Sequence, residues 1–150
     1  INLNTNGSRP AGLERLFDVG LDSMRVSLNS VREVCYSAYF QPNGYRFCDV
    51  VDGIDMALSR GKFVSINYLN CVGFTDNPEE YDALKGFIRQ HPIDMIQWRN
   101  LNFDPLRYWK AVGALAVSDR PMGMRRVYDN ARQSFPKLKH GYFNPPKEKF

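Results

Sequence analysis

Apolar and polar residues alternate in four short stretches, and each stretch is followed by residues with helical spacing. In the first, Ile1, Leu3 and Thr5 oppose Asn2, Asn4 and Asn6. In the second, Met24, Val26 and Leu28 oppose Arg25, Ser27 and Asn29. In the third, Val64, Ile66 and Tyr68 oppose Ser65 and Asn67, and in the fourth Ile96 and Trp98 oppose Gln97 and Arg99. A period of two belongs to a strand. The pattern predicts strands over residues 1–5, 23–29, 62–69 and 93–101.

The intervening stretches carry apolar residues three and four apart, as one face of a helix does. These are Leu13, Leu16 and Phe17; then Val31, Val34, Cys35 and Ala38; then Phe47, Val50, Val51, Ile54, Ala57 and Leu58; then Tyr81, Leu84, Phe87 and Ile88. Gly20 and Gly61 read as left-handed helix stops, and the run Gln41-Pro42-Asn43-Gly44 as a break. Ser8 before Pro10 and Asn77 before Pro78 read as helix starts, the second followed by the acids Glu79 and Glu80. After residue 101 the pattern is less regular. Residues 121–135 read as a helix, 138–143 as a final strand and 144–150 as an exposed tail.

Strand, helix, strand, helix predicts parallel strands joined by helical crossovers. The strand residues Leu3, Val26, Ile66 and Ile96 lie 23, 40 and 30 positions apart. A full eight-unit barrel averages about 31 residues per unit. The fold expected is therefore α/β: a partial (β/α) barrel of about four parallel βα units plus a C-terminal helical extension. An open doubly wound sheet uses similar units, and spacing does not separate the two. The expected organisation is a partial barrel over 1–104, an extension over 105–143 and the tail.

Each strand has one apolar and one polar face. A parallel βα array is normally covered on both sides, and burying amides and guanidinium groups without partners costs several kcal/mol. A polar inner face is thus a reason to expect a ligand. Asn6, Asn29, Asn67 and Asn100 or Asn102 extend this face to the C-terminal strand ends, where such folds place their sites. The same amides could instead cap helices and tie loops.

At 150 residues, 43% hydrophobic, 24% charged and 13% aromatic, the chain suits one globular unit with ample core. No apolar run approaches a membrane span, and the first residues lack a signal-peptide pattern. A net charge of +4 is spread along the chain apart from Lys137, Lys139, Lys147 and Lys149. With no recognisable module, this argues against a nucleic-acid partner. Cys35, Cys48 and Cys71 are 13 and 23 residues apart, unlike any metal-site spacing. They read as free, mostly buried thiols in a reducing, cytoplasmic compartment. His91 and His140 read as packing or surface residues, and Asp22, Asp76 and Asp94 as loop or cap residues. No catalytic residue and no metal ligand emerges. Ile1 opens directly into a strand, so the chain is expected to be a fragment.

Four motifs carry a resemblance. Asn4-Thr5-Asn6-Gly7 resembles the Thr-Asn-Gly of the radical S-adenosylmethionine enzymes. Residues 20–29, GLDSMRVSLN, resemble the strand that follows it there. Residues 64–69 with 72–76 resemble the next strand and loop, and residues 93–102 the last core strand. The resemblance covers about residues 1–104. It implies a parent enzyme that cleaves S-adenosylmethionine reductively at a [4Fe-4S] cluster, making a 5′-deoxyadenosyl radical that acts on a small-molecule substrate. The family's three clustered cysteines and Gly-rich acidic motif precede the Thr-Asn-Gly and are not in this sequence. By the family pattern Ser27 and Asn29 approach the ribose or methionyl group. The strand end from Asn67 to Leu69 lines the adenosine, with Asn4 and Asn6 on the same cofactor face. Arg25, Gln97 and Arg99 face the cavity or substrate. The alternatives are a non-catalytic domain binding a small metabolite or protein on the same face, and an unrelated barrel enzyme such as an aldolase, weakened by the lack of a Lys at a strand end. A half barrel also has two free edges, which predicts self-association unless residues 108–143, with Trp109, Leu115, Val117, Tyr128 and Phe135, fold back over the opening.

No cofactor is expected on this chain alone. The purified chain should be colourless and hold no stoichiometric iron or sulfide; a brown protein with both by elemental analysis would contradict this reading of the cysteines.

Overall fold

The computed structural model describes residues 1–116, 120–141 and 146–149. Five strands, β1 (Asn2–Thr5), β2 (Ser23–Leu28), β3 (Phe63–Asn70), β4 (Met95–Asn100) and β5 (Lys139–His140), form one sheet. All four pairings are parallel, and the spatial order is the chain order, β1-β2-β3-β4-β5. That order decides between the two parallel folds. A doubly wound sheet reverses its winding at a switch point, whereas a barrel adds each new strand beside the last. The expected partial barrel is what the chain forms.

Among the described residues six α-helices lie between the strands: α1 (Pro10–Asp18), α2 (Glu33–Phe40), α3 (Phe47–Ser59), α4 (Pro78–Gln90), α5 (Pro105–Val112) and α6 (Met124–Ser134). Val26, Ile66 and Ile96 are register partners in one row, and Met24 pairs with Val64. Leu3 pairs with Met24, two residues from Val26 but on the same face. These side chains, all buried except the partly buried Leu3, pack with Leu13 and Phe17 of α1, Val50, Ile54 and Ala57 of α3, and Leu84, Phe87 and Ile88 of α4. Each fully buried side chain of this size contributes about 1.5–3 kcal/mol, which pins the register.

The turn after β1 needs glycine twice. Gly7 adopts φ +72°, and a Cβ there would stand 3.1 Å from Val50 Cγ1. Gly53 of α3 faces it, where a Cβ would be 3.1 Å from the Gly7 carbonyl oxygen. The bare backbones let α3 settle against the turn.

Several local readings change. Ser8 does not cap α1; it bonds Asn6 instead, and Arg9 occupies the cap position. In α2 the buried residues are Cys35 and Tyr36, while Val34 is 53% exposed, so the face read from the spacing was rotated. Cys48 is exposed. Helix α5 was not foreseen, although Asp104 caps it by accepting from the N–H groups of Leu106 and Arg107. Its Tyr108 and Val112 pack on Cys35 and Phe74 at the strand ends, and Val127 and Ala131 of α6 pack on Tyr81, with Trp98 beside them. Neither helix's buried residues lie over the polar face. Val117, most of the expected strand beyond Gly141 and residues 142–145 and 150 lie outside the described residues.

A buried carboxylate ties the helical layer to the strand ends. Glu80, at the first turn of α4, is 1% exposed and accepts the Tyr68 hydroxyl at 2.6 Å. Arg32 lies 3.6 Å from its other oxygen and 3.3 Å from Glu79, and donates to the Leu115 carbonyl at 3.2 Å. Burial pushes the Glu80 carboxyl above its usual range, against the opposing pull of Ser30, Tyr68 and Arg32. An acid whose folded value is raised contributes stability below the ordinary value, here 4.5, and loses it as pH rises through the raised value. In urea titrations repeated from pH 4 upward, Glu80→Gln should therefore lose less stability with rising pH than the unaltered chain. Parallel curves would rule out this role for the Glu80 proton.

Candidate functional site

The face opposite the helices carries Asn2 and Asn4 on β1, Ser23, Arg25 and Ser27 on β2, Ser65, Asn67 and Leu69 on β3, and Gln97 and Arg99 on β4. The register sets them in rows: Asn4 beside Arg25 beside Ser65, then Ser27 beside Asn67 beside Gln97, then Leu69 beside Arg99. Ser65 and Gln97 are fully buried and Arg25 is 9% exposed. Two guanidinium groups share this face. Burial and the nearby Arg99 charge push the Arg25 guanidinium below its usual value, and Arg99 Nε donates to Asn67 Oδ1 at 3.3 Å.

At the C-terminal strand ends this face opens into a cavity of about 500 Å³ lined by Ser27, Tyr39, Phe40, Asn67, Leu69, Arg99, Asn100 and Asn102. The structure thus brings together four of the residues selected from sequence, Ser27, Asn67, Leu69 and Arg99, with the two strand-end amides. The other five lie elsewhere. Asn4, Arg25 and Gln97 are lower on the same face. Asn6 folds back on its own turn, its Oδ1 accepting from Ser8 N and Oγ. Asn29 lies past the end of β2 and is fully buried, its Nδ2 donating to the Cys35 carbonyl at 3.0 Å and the Tyr108 hydroxyl at 3.4 Å. It anchors α2 and α5 around the cavity mouth.

The aromatic wall was not identified from sequence. Tyr39 and Phe40 end α2, where Gln41 takes φ +47°, and Tyr39 packs edge-on against Phe103 and Tyr108 at 5.8 and 5.0 Å. The one sequence cue was their place directly before the Gln41-Pro42-Asn43-Gly44 break. Burial pushes the Tyr39 phenol upward, keeping it a neutral hydroxyl.

Among the described residues the lining has no carboxylate, imidazole or thiol. It can recognise a ligand by amide, hydroxyl and guanidinium hydrogen bonds and by contact with aromatic rings, but it holds no acid–base pair or nucleophile. His91 sits far below, bonded to Asp55 at 2.5 Å and packed on Phe87. Asp76 and Asp94 accept from Gly73 N and Val64 N, as loop residues do. Among the described residues no three His, Cys, Asp or Glu converge to hold a metal. Cys35 is buried, Cys48 exposed and Cys71 half-buried. The thiols present do not fit an iron–sulfur cluster.

No sequence-family description matches the chain, and no curated protein does either. Solved structures do share its fold. A radical SAM methyltransferase from Sphaerobacter thermophilus superposes with a TM-score of 0.65 at 16% identity, covering 97% of this chain and 41% of that one. SuiB from Streptococcus suis gives 0.62 at 14% identity, covering 97% and 33%. SuiB bound to S-adenosylmethionine gives 0.57 at 14%, covering 97% and 32%. The chain spans about a third to two fifths of the structures it matches.

Proposed function

We propose that this chain is part of a larger radical S-adenosylmethionine enzyme and supplies one wall of the cofactor and substrate cavity. The observation that carries the reading is the shared cavity of Ser27, Asn67, Leu69 and Arg99 at the C-terminal ends of successive parallel strands. Its support is the fold shared with a radical SAM methyltransferase and with a structure holding S-adenosylmethionine. S-adenosylmethionine offers what this lining can recognise: ribose hydroxyls, a charged amino acid end and a flat base. Ser27 and Asn67 supply neutral hydrogen bonds, Arg99 a guanidinium, and Tyr39 and Phe40 aromatic surface. In this reading residues 1–104 are the main barrel part, 105–143 an extension whose α5 walls the mouth and whose β5 continues the sheet, and 144–150 a tail. The parent is cytoplasmic, acts on a small molecule and holds its [4Fe-4S] cluster on residues outside this sequence. That cluster supplies the electron for reductive cleavage; the residues here bind and orient.

In the parent enzyme, Ser27→Ala with Asn67→Ala should weaken S-adenosylmethionine binding. At about 1 kcal/mol for each neutral hydrogen bond, the loss is roughly thirtyfold in Kd. Arg99→Ala should weaken it further. Far-ultraviolet circular dichroism should not change, since none of the three side chains belongs to the helix-facing core. Unchanged affinity in the double variant refutes the assignment and leaves a binding domain for another small metabolite.

The isolated chain should self-associate. β1 and β5 are the edge strands of the sheet, and Ile1, Leu16 and Val19 are exposed along β1 and α1. Unpaired parallel edges are templates for a second copy. Light scattering at micromolar concentration should give more than 17.3 kDa; a mass at that value rejects association.

A further inference from the structure

The opposite face of β4 carries a second constellation. Trp98 points to the helical layer, away from Gln97 and Arg99, and His140 follows on β5, paired with Ile96. An indole N–H can only donate, and Trp98 Nε1 donates to His140 Nδ1 at 3.0 Å. His140 is therefore neutral with its proton on Nε2, a state that burial and the nearby Arg132 also favour. The ring planes are 2° apart with centroids 6.2 Å apart. With the hydrogen bond joining their edges, the rings lie side by side as one flat plate. Tyr128 of α6 stands across it, at 68° to His140 and 69° to Trp98.

A hollow of about 400 Å³ opens here, lined by Asn70, Trp98, Met124, Arg125, Tyr128 and His140, with Gly141 at its edge. Among the described residues, two polar atoms in its walls are buried without a hydrogen-bond partner: His140 Nε2, which carries a proton, and Asn70 Oδ1, which can only accept. Nothing among the described residues accounts for them. Among the described residues the lining has one charge, the Arg125 guanidinium, and no carboxylate. Arg125 has an ion-pair contact with Asp129 at 3.8 Å, but both side chains are mostly in water, where such a pair competes weakly.

We propose that this hollow binds a planar heteroaromatic anion of the nucleotide class, its ring packed on Tyr128 with its polar edge toward His140 Nε2 and Asn70 Oδ1, and its anionic group on Arg125. A flat aromatic surface takes a base by stacking. A nucleobase edge presents both an acceptor for the His140 N–H and a donor for the Asn70 oxygen. A guanidinium binds a phosphate through paired, charge-assisted hydrogen bonds. The site is separate from the cavity of Ser27, Asn67 and Arg99 because Trp98 and Arg99 are consecutive strand residues and project to opposite faces.

The chain has two tryptophans, Trp98 and Trp109. Trp109→Phe on the partly exposed α5 leaves Trp98 as the only indole. AMP, adenosine and inorganic phosphate are titrated separately against this protein while Trp98 emission is followed. AMP should quench it saturably, adenosine about tenfold more weakly for want of the charged contact, and phosphate not at all. Arg125→Gln changes a side chain that is 96% exposed, so it leaves the fold intact, and it should reduce the advantage of AMP over adenosine to within about twofold. Ser27→Ala with Asn67→Ala should leave the AMP response unchanged. The proposal is overturned if AMP gives no saturable response at millimolar concentration, if Arg125→Gln leaves the AMP response as it was, or if the response falls with the Ser27 and Asn67 substitutions, which would put the ligand in the other cavity.

Discussion

The parallel register Val26–Ile66–Ile96 is the constraint on which the rest depends. Those three side chains are fully buried against the helices, and side chains alternate along a strand. Their neighbours Arg25, Ser27, Ser65, Asn67, Gln97 and Arg99 are thereby committed to the other face. A slip of one residue would drive two guanidinium groups and two amides into the apolar layer and expose the core. The cavity is not an addition to the fold. It is what remains on the far side once the core has been satisfied.

A second level of order acts where the strands stop. Beyond Leu28 and Asn70 the alternation no longer positions anything, and polar groups on loops take over. Glu80 gathers Tyr68 and Arg32, and Arg32 reaches on to the Leu115 carbonyl. Asn29 holds the Cys35 carbonyl and the Tyr108 hydroxyl. Burial raises the Tyr68 and Tyr108 phenols, so both remain neutral donors or acceptors. Loss of one partner in such a set leaves the others buried without compensation. This network positions α2, α4 and α5, and α2 ends in the aromatic wall of Tyr39 and Phe40.

What the sequence disclosed follows the same division. Ser27, Asn67 and Arg99 could be placed because they lie within strands, where a period of two is enforced by burial on the other face. Asn29 has the parity of Ser27 but stands one residue past the strand end. The chain has turned there, and the amide goes to a loop carbonyl. Tyr39 and Phe40 were illegible for a different reason. Helix α2 is apolar on several sides, so spacing alone did not separate the exposed Val34 from the buried Tyr36. Helix α5 did announce itself, in an Asp104 cap followed by Pro105. Its buried face is only Tyr108 and Val112, too short a stripe to stand out as periodic. The strand order, which separates a barrel from a doubly wound sheet, depends on long-range pairing that residue spacing does not encode.

Consecutive residues of β4 serve both faces. Gln97 and Arg99 extend the amide and guanidinium surface begun by Asn4, Arg25, Ser27 and Asn67, while Trp98, between them, joins His140 and Tyr128 outside. The two environments select different partners. One combines hydroxyl and amide groups with the Arg99 guanidinium at the strand ends; the other is a flat aromatic plate with one donor, one acceptor and one cation. They are joined through the backbones of two neighbouring strands, β3 (Asn67 and Leu69 on one side, Asn70 on the other) and β4, whose register is held by Ile66 and Ile96 in the core. Occupation of one face would act on the other by shifting these strands, and the packing of Ile96 against Ile66 and the helices resists such a shift. The geometry makes the two surfaces mechanically independent despite their adjacency in sequence.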